Sequence, residues 1–192
     1  MALPKTYPVF TIDEYLDYER FAESRHEFLD AASYEIADES ARHNTICFNL
    51  YGITGSQLRG KRCRGFSPNM KVATGDKGLF SYPDLAIVCG EPLYHDDKQD
   101  VLTNPQVIFE VLSHRTQNYD RGEKFLRYTN TIETPTDYVL ISQDAPSVEH
   151  FQKQTDGNWL KLEVSGLESI LSLAAVECEI PLSELYYLVD FS

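Results

Sequence analysis

The sequence predicts an α/β (α+β) domain, in which a mixed central β-sheet is flanked by helices. Helical and strand-like segments alternate along the chain in the order helix, strands, helix, strands. Two of the strand candidates, Tyr82–Cys89 and Val107–Leu112, are nearly continuous apolar runs, which is typical of strands buried on both faces. At 192 residues, 42% of them hydrophobic, the chain can bury such a sheet, and we expect one domain over residues 1–192.

The first third of the chain predicts a helix, a hairpin and a second helix. In TIDEYLDYER, Thr11 and Glu14 have the spacing of a capping box, so we expect a helix to begin there. The segment SRHEFLDAASYEIAD predicts a short hairpin around a turn of small residues. From Ser40 to Arg59 the apolar residues recur near helical spacing, and Gly60 is suited to end the helix.

The rest of the chain predicts mainly strands. Apolar runs separated by Pro, Gly and Asp mark the candidates Arg62–Phe66, Met70–Ala73, Tyr82–Cys89, Val107–Leu112, Tyr138–Ser142, Val148–Lys153 and Trp159–Val164. GEPLYHDDKQDVLTN, between the third and the fourth, predicts a long loop. Residues 116–130 predict a helix that packs beside the sheet, and a short helix begins near Pro181.

Membrane, secreted and zinc proteins are disfavoured. No apolar run is close to the length of a membrane helix, which needs about 18 residues. The N-terminal MALPKTYPVF lacks the charged start and apolar middle of a signal peptide. The cysteines stand far apart without a C-x-x-C pair, which predicts free thiols in a reducing compartment. We therefore expect a cytoplasmic protein without a membrane partner.

The charge distribution leaves two interpretations open. A formal charge of −13 argues against a general nucleic-acid coater, which would be basic. The segment RGKRCRGFSPNMK nevertheless contains only positive charges, on Arg59, Lys61, Arg62, Arg64 and Lys71. These side chains either contact phosphates of a nucleic acid or belong to a solvated loop or strand edge.

Two acids stand in or beside apolar strands. Glu110 interrupts VIFEVL, and Asp84 follows Pro83 directly before LAIV. If the two strands pair, these carboxylates face each other, and they resist joint ionisation unless a cation lies between them. Mg²⁺ prefers such oxygen ligands. The alternatives are a turn role for Asp84 and a buried pair of Glu110 with an arginine.

Lys124 is the candidate for a third functional group. Asp120, Lys124 and Tyr128 are spaced four residues apart and therefore share one helical face. If this face overlooks the strand ends, the ammonium group can stabilise the negative charge that develops on a phosphate. The alternative is an exposed ion pair between Asp120 and Lys124 on the helix surface.

The strings PDLAIV, FEVLSHRT, YDRGEK and DYVLIS together resemble the Uma-type restriction endonuclease family of the PD-(D/E)XK nuclease superfamily. The resemblance implies a restriction-endonuclease-like fold. It aligns Asp84 with the acid of the PD pair and Glu110 with the acid of the E-x-K element. Leu112 stands where the usual lysine is expected, so the resemblance assigns that role to Lys124. Glu27, in RHEFLD, resembles an additional early acid; its alternative is a hairpin carboxylate.

The resemblance implies Mg²⁺-dependent hydrolysis of DNA, with Mn²⁺ as a substitute ion and a homodimer as a possible assembly. Asp84 and Glu110 would hold the metal, and alanine at either position or at Lys124 is expected to abolish cleavage while the fold stays intact. A catalytically silent nuclease-fold binding or assembly protein is the alternative, which the acidic surface favours. An enzyme of small phosphorylated metabolites is the third interpretation.

Overall fold

The structure, a computed structural model, describes residues 6–7, 11–36, 39–75 and 78–191. The strands in chain order are β1 (Thr6–Tyr7), β2 (His26–Leu29), β3 (Ala32–Glu35), β4 (Cys63–Phe66), β5 (Lys71–Ala73), β6 (Leu79–Ser81), β7 (Leu85–Cys89), β8 (Val101–Leu102), β9 (Val107–Val111), β10 (Asp137–Ile141), β11 (Ser147–Lys153), β12 (Trp159–Ser165), β13 (Ile170–Leu173) and β14 (Cys178–Pro181). The helices are α1 (Ile12–Glu19), α2 (Ala41–Leu58), α3 (Gln117–Tyr119), α4 (Phe125–Thr131) and α5 (Leu182–Leu185), with a π-helical turn (Asp120–Lys124) between α3 and α4. None of the helices within these ranges is both long and apolar enough to cross a bilayer.

The central sheet has six strands in the order β12-β11-β10-β9-β7-β4. It is mixed, because β9 and β10 run parallel whereas β7 and β9 run antiparallel. A second six-stranded sheet has the order β1-β3-β2-β6-β5-β8, and β13 forms a separate hairpin with β14. Helices and mixed sheets are thus combined as predicted, and the predicted fold class is confirmed.

Both faces of the central sheet are buried, as the apolar runs predict. Successive side chains of a strand point to opposite faces. Leu85 and Ile87 pack on the face that carries α2 and the β13–β14 hairpin. Ala86 and Ile108 pack on the other face, together with Tyr128 of α4 and residues of the second sheet. The neighbouring strands β7 and β9 therefore lie between two apolar layers.

Several elements differ from the sequence predictions. The segment predicted as a long loop contains β8, and β1, β6, β13 and β14 were not predicted at all. These strands are two to four residues long and gain their order from partners elsewhere in the chain, such as β5 beside β8. The helix predicted over 116–130 is interrupted by the π-helical turn.

The prediction of four free thiols is wrong. Cys63 and Cys89 form a disulfide, whereas Cys47 and Cys178 are free and buried. The pair is 26 residues apart in the sequence, but the antiparallel pairing of β4 with β7 places the two cysteines directly opposite each other. Cysteine spacing therefore no longer supports a reducing compartment.

Helix α1 is attached to the second sheet by an ion-pair network. Arg20, at the end of α1, donates to Asp96 at 2.5 Å and to Asp100 at 2.9 Å. The ammonium of Lys71 lies 3.1 Å from Asp100 Oδ2, which also accepts a hydrogen bond from Arg20 Nε. Burial acts to raise the pKa of Asp100, but Arg20 and Lys71 outweigh it and lower this pKa from 3.8 to about 2.

We expect Asp100→Asn to weaken the acid dependence of stability. Because the pKa of Asp100 is lower in the folded protein, its ionised form stabilises the fold above pH 3.8, and this stabilisation is lost as the pH falls towards 2. Urea denaturation at stepped pH should show a steeper acid loss for the wild type than for the variant. The exposed Asp97→Asn is the control, and parallel curves for wild type and Asp100→Asn would contradict the prediction.

Candidate active site

Strand pairing brings the two candidate acids together. β7 and β9 run antiparallel with Leu85 opposite Phe109, so the continued register places Asp84 opposite Glu110. Residues directly opposite on antiparallel strands have Cβ atoms about 5 Å apart on the same face. The backbone N–H of Val111 donates to Asp84 Oδ2 at 2.6 Å, which holds the carboxylate against β9.

Lys124, the last residue of the π-helical turn, completes this arrangement. Its ammonium nitrogen lies 2.9 Å from Glu110 Oε1, 3.1 Å from Glu27 Oε1 and 3.7 Å from Asp120 Oδ1. The side chain is buried, so the expectation of an exposed helix pair does not hold. Lys124 and Glu110 thus face each other across the junction of helix and sheet, as the pattern of the sequence predicts.

The π-helical turn explains how Asp120 and Lys124 both face the sheet. Asp120 and Lys124 stand at the two ends of this turn, and both side chains are buried. A π turn accommodates one residue more than an α turn and is frequent at functional sites. The hydroxyl of Tyr138 donates to the carbonyl of Asp120 at 3.0 Å, which anchors the turn to β10.

Glu27 also lies in the site. It is carried by β2 in the second sheet, and its Oε1 accepts a hydrogen bond from Lys124 at 3.1 Å. The backbone N–H of Tyr82, two residues before Asp84, lies 3.4 Å from the same oxygen. The structure therefore brings all four of the predicted catalytic residues together: Asp84, Glu110, Lys124 and Glu27.

Negative charge exceeds positive charge around Lys124. Burial raises the pKa of Glu110 well above its ordinary value; the charge of Lys124 opposes this shift, and Asp120 reinforces it. Burial acts to lower the pKa of Lys124, but Glu110 and the other acids raise it well above its ordinary value, so the ammonium stays charged. Glu110 Oε1 is buried and, among the described residues, accepts no hydrogen bond with good geometry.

Two residues of the site were missed in the sequence. His43, in the first turn of α2, has its Nε2 atom 3.2 Å from Asp84 Oδ1. A single histidine at a helix start carries no pattern that distinguishes it from a core histidine. Asp120 was placed on the correct helical face, but its spacing alone did not identify it as a buried neighbour of Lys124.

The predicted phosphate contacts in the basic segment need correction. Lys71 is buried, and its ammonium lies 3.1 Å from Asp100, so it is not available to a nucleic acid. The ammonium of Lys61 donates to the carbonyl groups of Val176 and Glu177, at 3.1 and 2.6 Å. Both residues serve internal contacts.

The remaining members of the segment, Arg59, Arg62 and Arg64, are exposed. The carbonyl of Arg62 accepts from Gly90, directly after the end of β7, whereas Asp84 directly precedes its start. A strand of this length spans about 17 Å. Arg62 and Arg64, the latter opposite Val88 near the end of β7, therefore lie towards the end of the sheet remote from the acids, whereas Arg59 follows the end of α2.

The fold that carries the two acids and the lysine is nuclease-like, as the comparison with a solved structure shows. A crystal structure described as a "putative nuclease belonging to DUF820", from Anabaena variabilis, has a TM-score of 0.75 at 14% identity and covers 92% of this chain and 97% of its own. The family model Uma2, described as "Putative restriction endonuclease", matches residues 12–183. The chain belongs to the Uma2 family.

Two curated relatives come from Synechocystis sp. The protein named "Uncharacterized protein sll1609" is 34% identical over 166 residues, which cover 86% of this chain and 93% of the relative. "Uncharacterized protein slr1290" is 30% identical over 156 residues, which cover 81% of this chain and 80% of the relative. Both matches span most of each chain.

We expect Lys124→Met to lower the free energy of unfolding by about 3–5 kcal/mol, because it leaves the Glu110 carboxyl group buried without its counter-charge. Because Lys124 is buried, we now expect its replacement to cost stability as well as activity. Chemical denaturation at neutral pH measures the difference. The exposed Lys98→Met should change stability by no more than about 0.5 kcal/mol. Equal stability of the two variants would contradict the charge balance described here.

Proposed function

We propose that the protein is a divalent-cation-dependent phosphodiesterase that hydrolyses DNA, with Mg²⁺ as its resident ion and Mn²⁺ as a substitute. One observation carries the proposal: Asp84 stands opposite Glu110 in paired strands, and the buried ammonium of Lys124 lies 2.9 Å from Glu110. Membership of the Uma2 family and the nuclease fold of the neighbour support the same class of reaction.

The donor set fits a hard cation. Asp84 and Glu110 offer carboxylate oxygens, and Mg²⁺ commonly binds through one or two carboxylates together with water and substrate phosphate. Glu110 Oε1 is buried 2.9 Å from the ammonium of Lys124, and a carboxylate oxygen can contact a cation in addition to such a partner. We propose the backbone carbonyl of Val111 as an additional oxygen, because its N–H already contacts Asp84. A cation held there would activate a water and neutralise charge on the scissile phosphate.

Lys124 acts as an ammonium group in this proposal, not as a base. The surrounding carboxylates raise its pKa well above the ordinary value, although burial opposes this shift, so it keeps its proton at neutral pH. A fixed positive charge beside the reacting phosphate stabilises the charge that develops in the transition state. Glu27, 3.1 Å from the ammonium nitrogen, orients the lysine from the second sheet.

Arg25 replaces the basic segment as the proposed phosphate contact. It precedes β2 and stands two residues before Glu27, so the two side chains share a face of that strand. Its guanidinium group lies 5.6 Å from the ring centre of Tyr82, two residues before Asp84. Arg25 is exposed, unlike Lys71; one guanidinium nitrogen, Nη1, donates to the carbonyl of Pro68 at 2.6 Å, and we propose that the other donors of the group contact the phosphate. We therefore transfer the role in phosphate binding from residues 59–71 to Arg25.

The acidic composition favours a second candidate, a nuclease-fold protein that binds or assembles without cleavage. The chain has 30 acidic and 17 basic residues, which weakens its encounter with DNA. Such a protein would still bind Mn²⁺ but would cut neither plasmid nor oligonucleotide. We also propose a homodimer, because two copies of a single site can cut both strands of a duplex.

Asp84→Asn and Glu110→Gln should each reduce cleavage of plasmid DNA in Mg²⁺ or Mn²⁺ by at least about 100-fold, because each removes an anionic ligand that stabilises the transition state. Gel assays with supercoiled plasmid and a labelled duplex measure the loss. The control is Glu91→Gln, which changes an exposed acid outside the site and should cleave like the wild type. Retained cleavage by Glu110→Gln would refute the assignment, and absence of wild-type cleavage despite Mn²⁺ binding would favour the silent binding protein.

Arg25→Ala should weaken DNA binding equally for different sequences and reduce the slope of log affinity against log salt by about one, because a phosphate contact releases one counterion. Fluorescence anisotropy with a labelled duplex, in Ca²⁺ to prevent turnover, measures both effects. Arg62→Ala, at the remote end of the sheet, is the matched control. If Arg62→Ala lowers the slope and Arg25→Ala does not, the substrate follows the basic segment instead.

A further inference from the structure

Three side chains along one face of α2 lie beside Asp84. His43, Cys47 and Tyr51 are spaced four residues apart and therefore lie along one face of α2. The Nε2 atom of His43 is 3.2 Å from Asp84 Oδ1. The hydroxyl of Tyr51 donates to the backbone carbonyl of Asp84 at 2.9 Å, so the helix contacts both the side chain and the main chain of this acid.

The two oxygens of Asp84 are held from opposite sides. Oδ2 accepts from the backbone N–H of Val111 in β9, at 2.6 Å. Oδ1 faces the buried imidazole of His43. A carboxylate with one neighbour on each oxygen has a defined orientation. His43 is therefore placed to set the direction in which Asp84 presents its charge.

The start of α2 is attached to the strand that carries Glu110. The hydroxyl of Ser40 accepts the backbone N–H of His43 at 3.0 Å and caps the helix. The same hydroxyl donates to Gln143 Oε1 at 2.6 Å, and the amide of Gln143 donates to the carbonyl of Leu112 at 2.8 Å. Since Leu112 directly follows β9, the position of His43 is coupled to the position of Glu110.

The other ring nitrogen of His43 has its own neighbour. Cys47 Sγ lies 3.6 Å from Nδ1, and both side chains are buried. A thiol that donates its S–H to Nδ1 leaves the ring proton on Nε2, where it points at Asp84. Outer partners of this kind fix the orientation of ligands in metal sites, and their loss typically costs about 10–100-fold in metal affinity.

We propose that His43 is a positioning residue for Asp84: it donates its Nε2–H to Oδ1, with its tautomer set by Cys47, and so pre-orients the carboxylate for the divalent cation shared with Glu110. The inference rests on the proposed function, because it presupposes a cation at Asp84. It assigns no proton transfer to His43. The residue acts on the reaction only through the orientation of Asp84.

Direct binding of a metal by the group His43, Cys47 and Asp84 is the competing interpretation. Their ligand atoms all lie within 4.8 Å of one another. However, Nδ1 of His43 faces Cys47 whereas Nε2 faces Asp84. Because the short contacts of the two partners use different ring nitrogens, the geometry favours a chain of hydrogen bonds over a three-ligand site.

The test measures Mn²⁺ affinity of the full chain by calorimetric titration, independently of cleavage. His43→Leu keeps an apolar volume at the position but removes the donor, and it should weaken Mn²⁺ binding by about 10–100-fold. His43→Gln carries an amide N–H near the place of Nε2 and should restore affinity to within a few-fold of the wild type. His114→Leu, at an exposed histidine, should bind like the wild type. Thermal unfolding verifies that each variant is folded.

The outcomes separate this inference from the proposed function. If Asp84→Asn loses Mn²⁺ binding while His43→Leu binds like the wild type, the positioning role is refuted and the metal site stands. If His43→Gln is folded but as weak as His43→Leu, the hydrogen bond is not the cause and the role is refuted as well. Unchanged binding by Asp84→Asn refutes the metal site itself. Should His43→Leu fail to fold, Cys47→Val decides: a several-fold loss of affinity supports the chain of hydrogen bonds, and wild-type affinity overturns it.

Discussion

The buried ammonium of Lys124 among carboxylates is the interaction on which the arrangement of the site depends. A charge removed from water is tolerated only when partners from the surrounding structure compensate it. β9 supplies Glu110, β2 supplies Glu27, and the π-helical turn supplies Asp120. The acids outnumber the lysine, and Asp84 adds a further carboxylate at the neighbouring strand. This surplus of acids at a fixed place in the fold is the physical basis on which we propose a divalent cation there.

The acids and the lysine could be predicted because their signals are local. A carboxylate inside VIFEVL conflicts with burial on both faces of a strand. The sequence alone therefore indicated that Glu110 needs a partner. Asp84, before a second buried strand, became its neighbour once the strands were paired, and β7 and β9 do pair. Lys124 followed from four-residue spacing together with the family resemblance. The inferences for Asp84 and Glu110 used a few consecutive residues and one general rule of burial, whereas those for Lys124 and Glu27 depended on the family resemblance as well.

The remaining features depend on contacts between distant parts of the chain. The Cys63–Cys89 disulfide exists because β4 pairs with β7, which no spacing rule reveals. Lys71 belongs to a run of positive charges, but it is the first residue of β5, and its buried side chain contacts Asp100. His43 is recognised only when α2 is seen to pack against the start of β7. The same limitation applies to short strands such as β8, whose order comes from the neighbouring strand and not from its own residues.

The most direct test of the central claim is a crystal structure with Mn²⁺, read by its anomalous scattering. We expect one anomalous peak within coordination distance of both the Asp84 and the Glu110 carboxylates, at about 2.2 Å as in other oxygen-ligated sites of this kind. The ammonium of Lys124 should lie next to this peak. Such a peak would place the cation where the surplus of negative charge lies. A Mn²⁺ peak elsewhere, with Glu110 still paired to Lys124 and no density beside Asp84, would contradict the account.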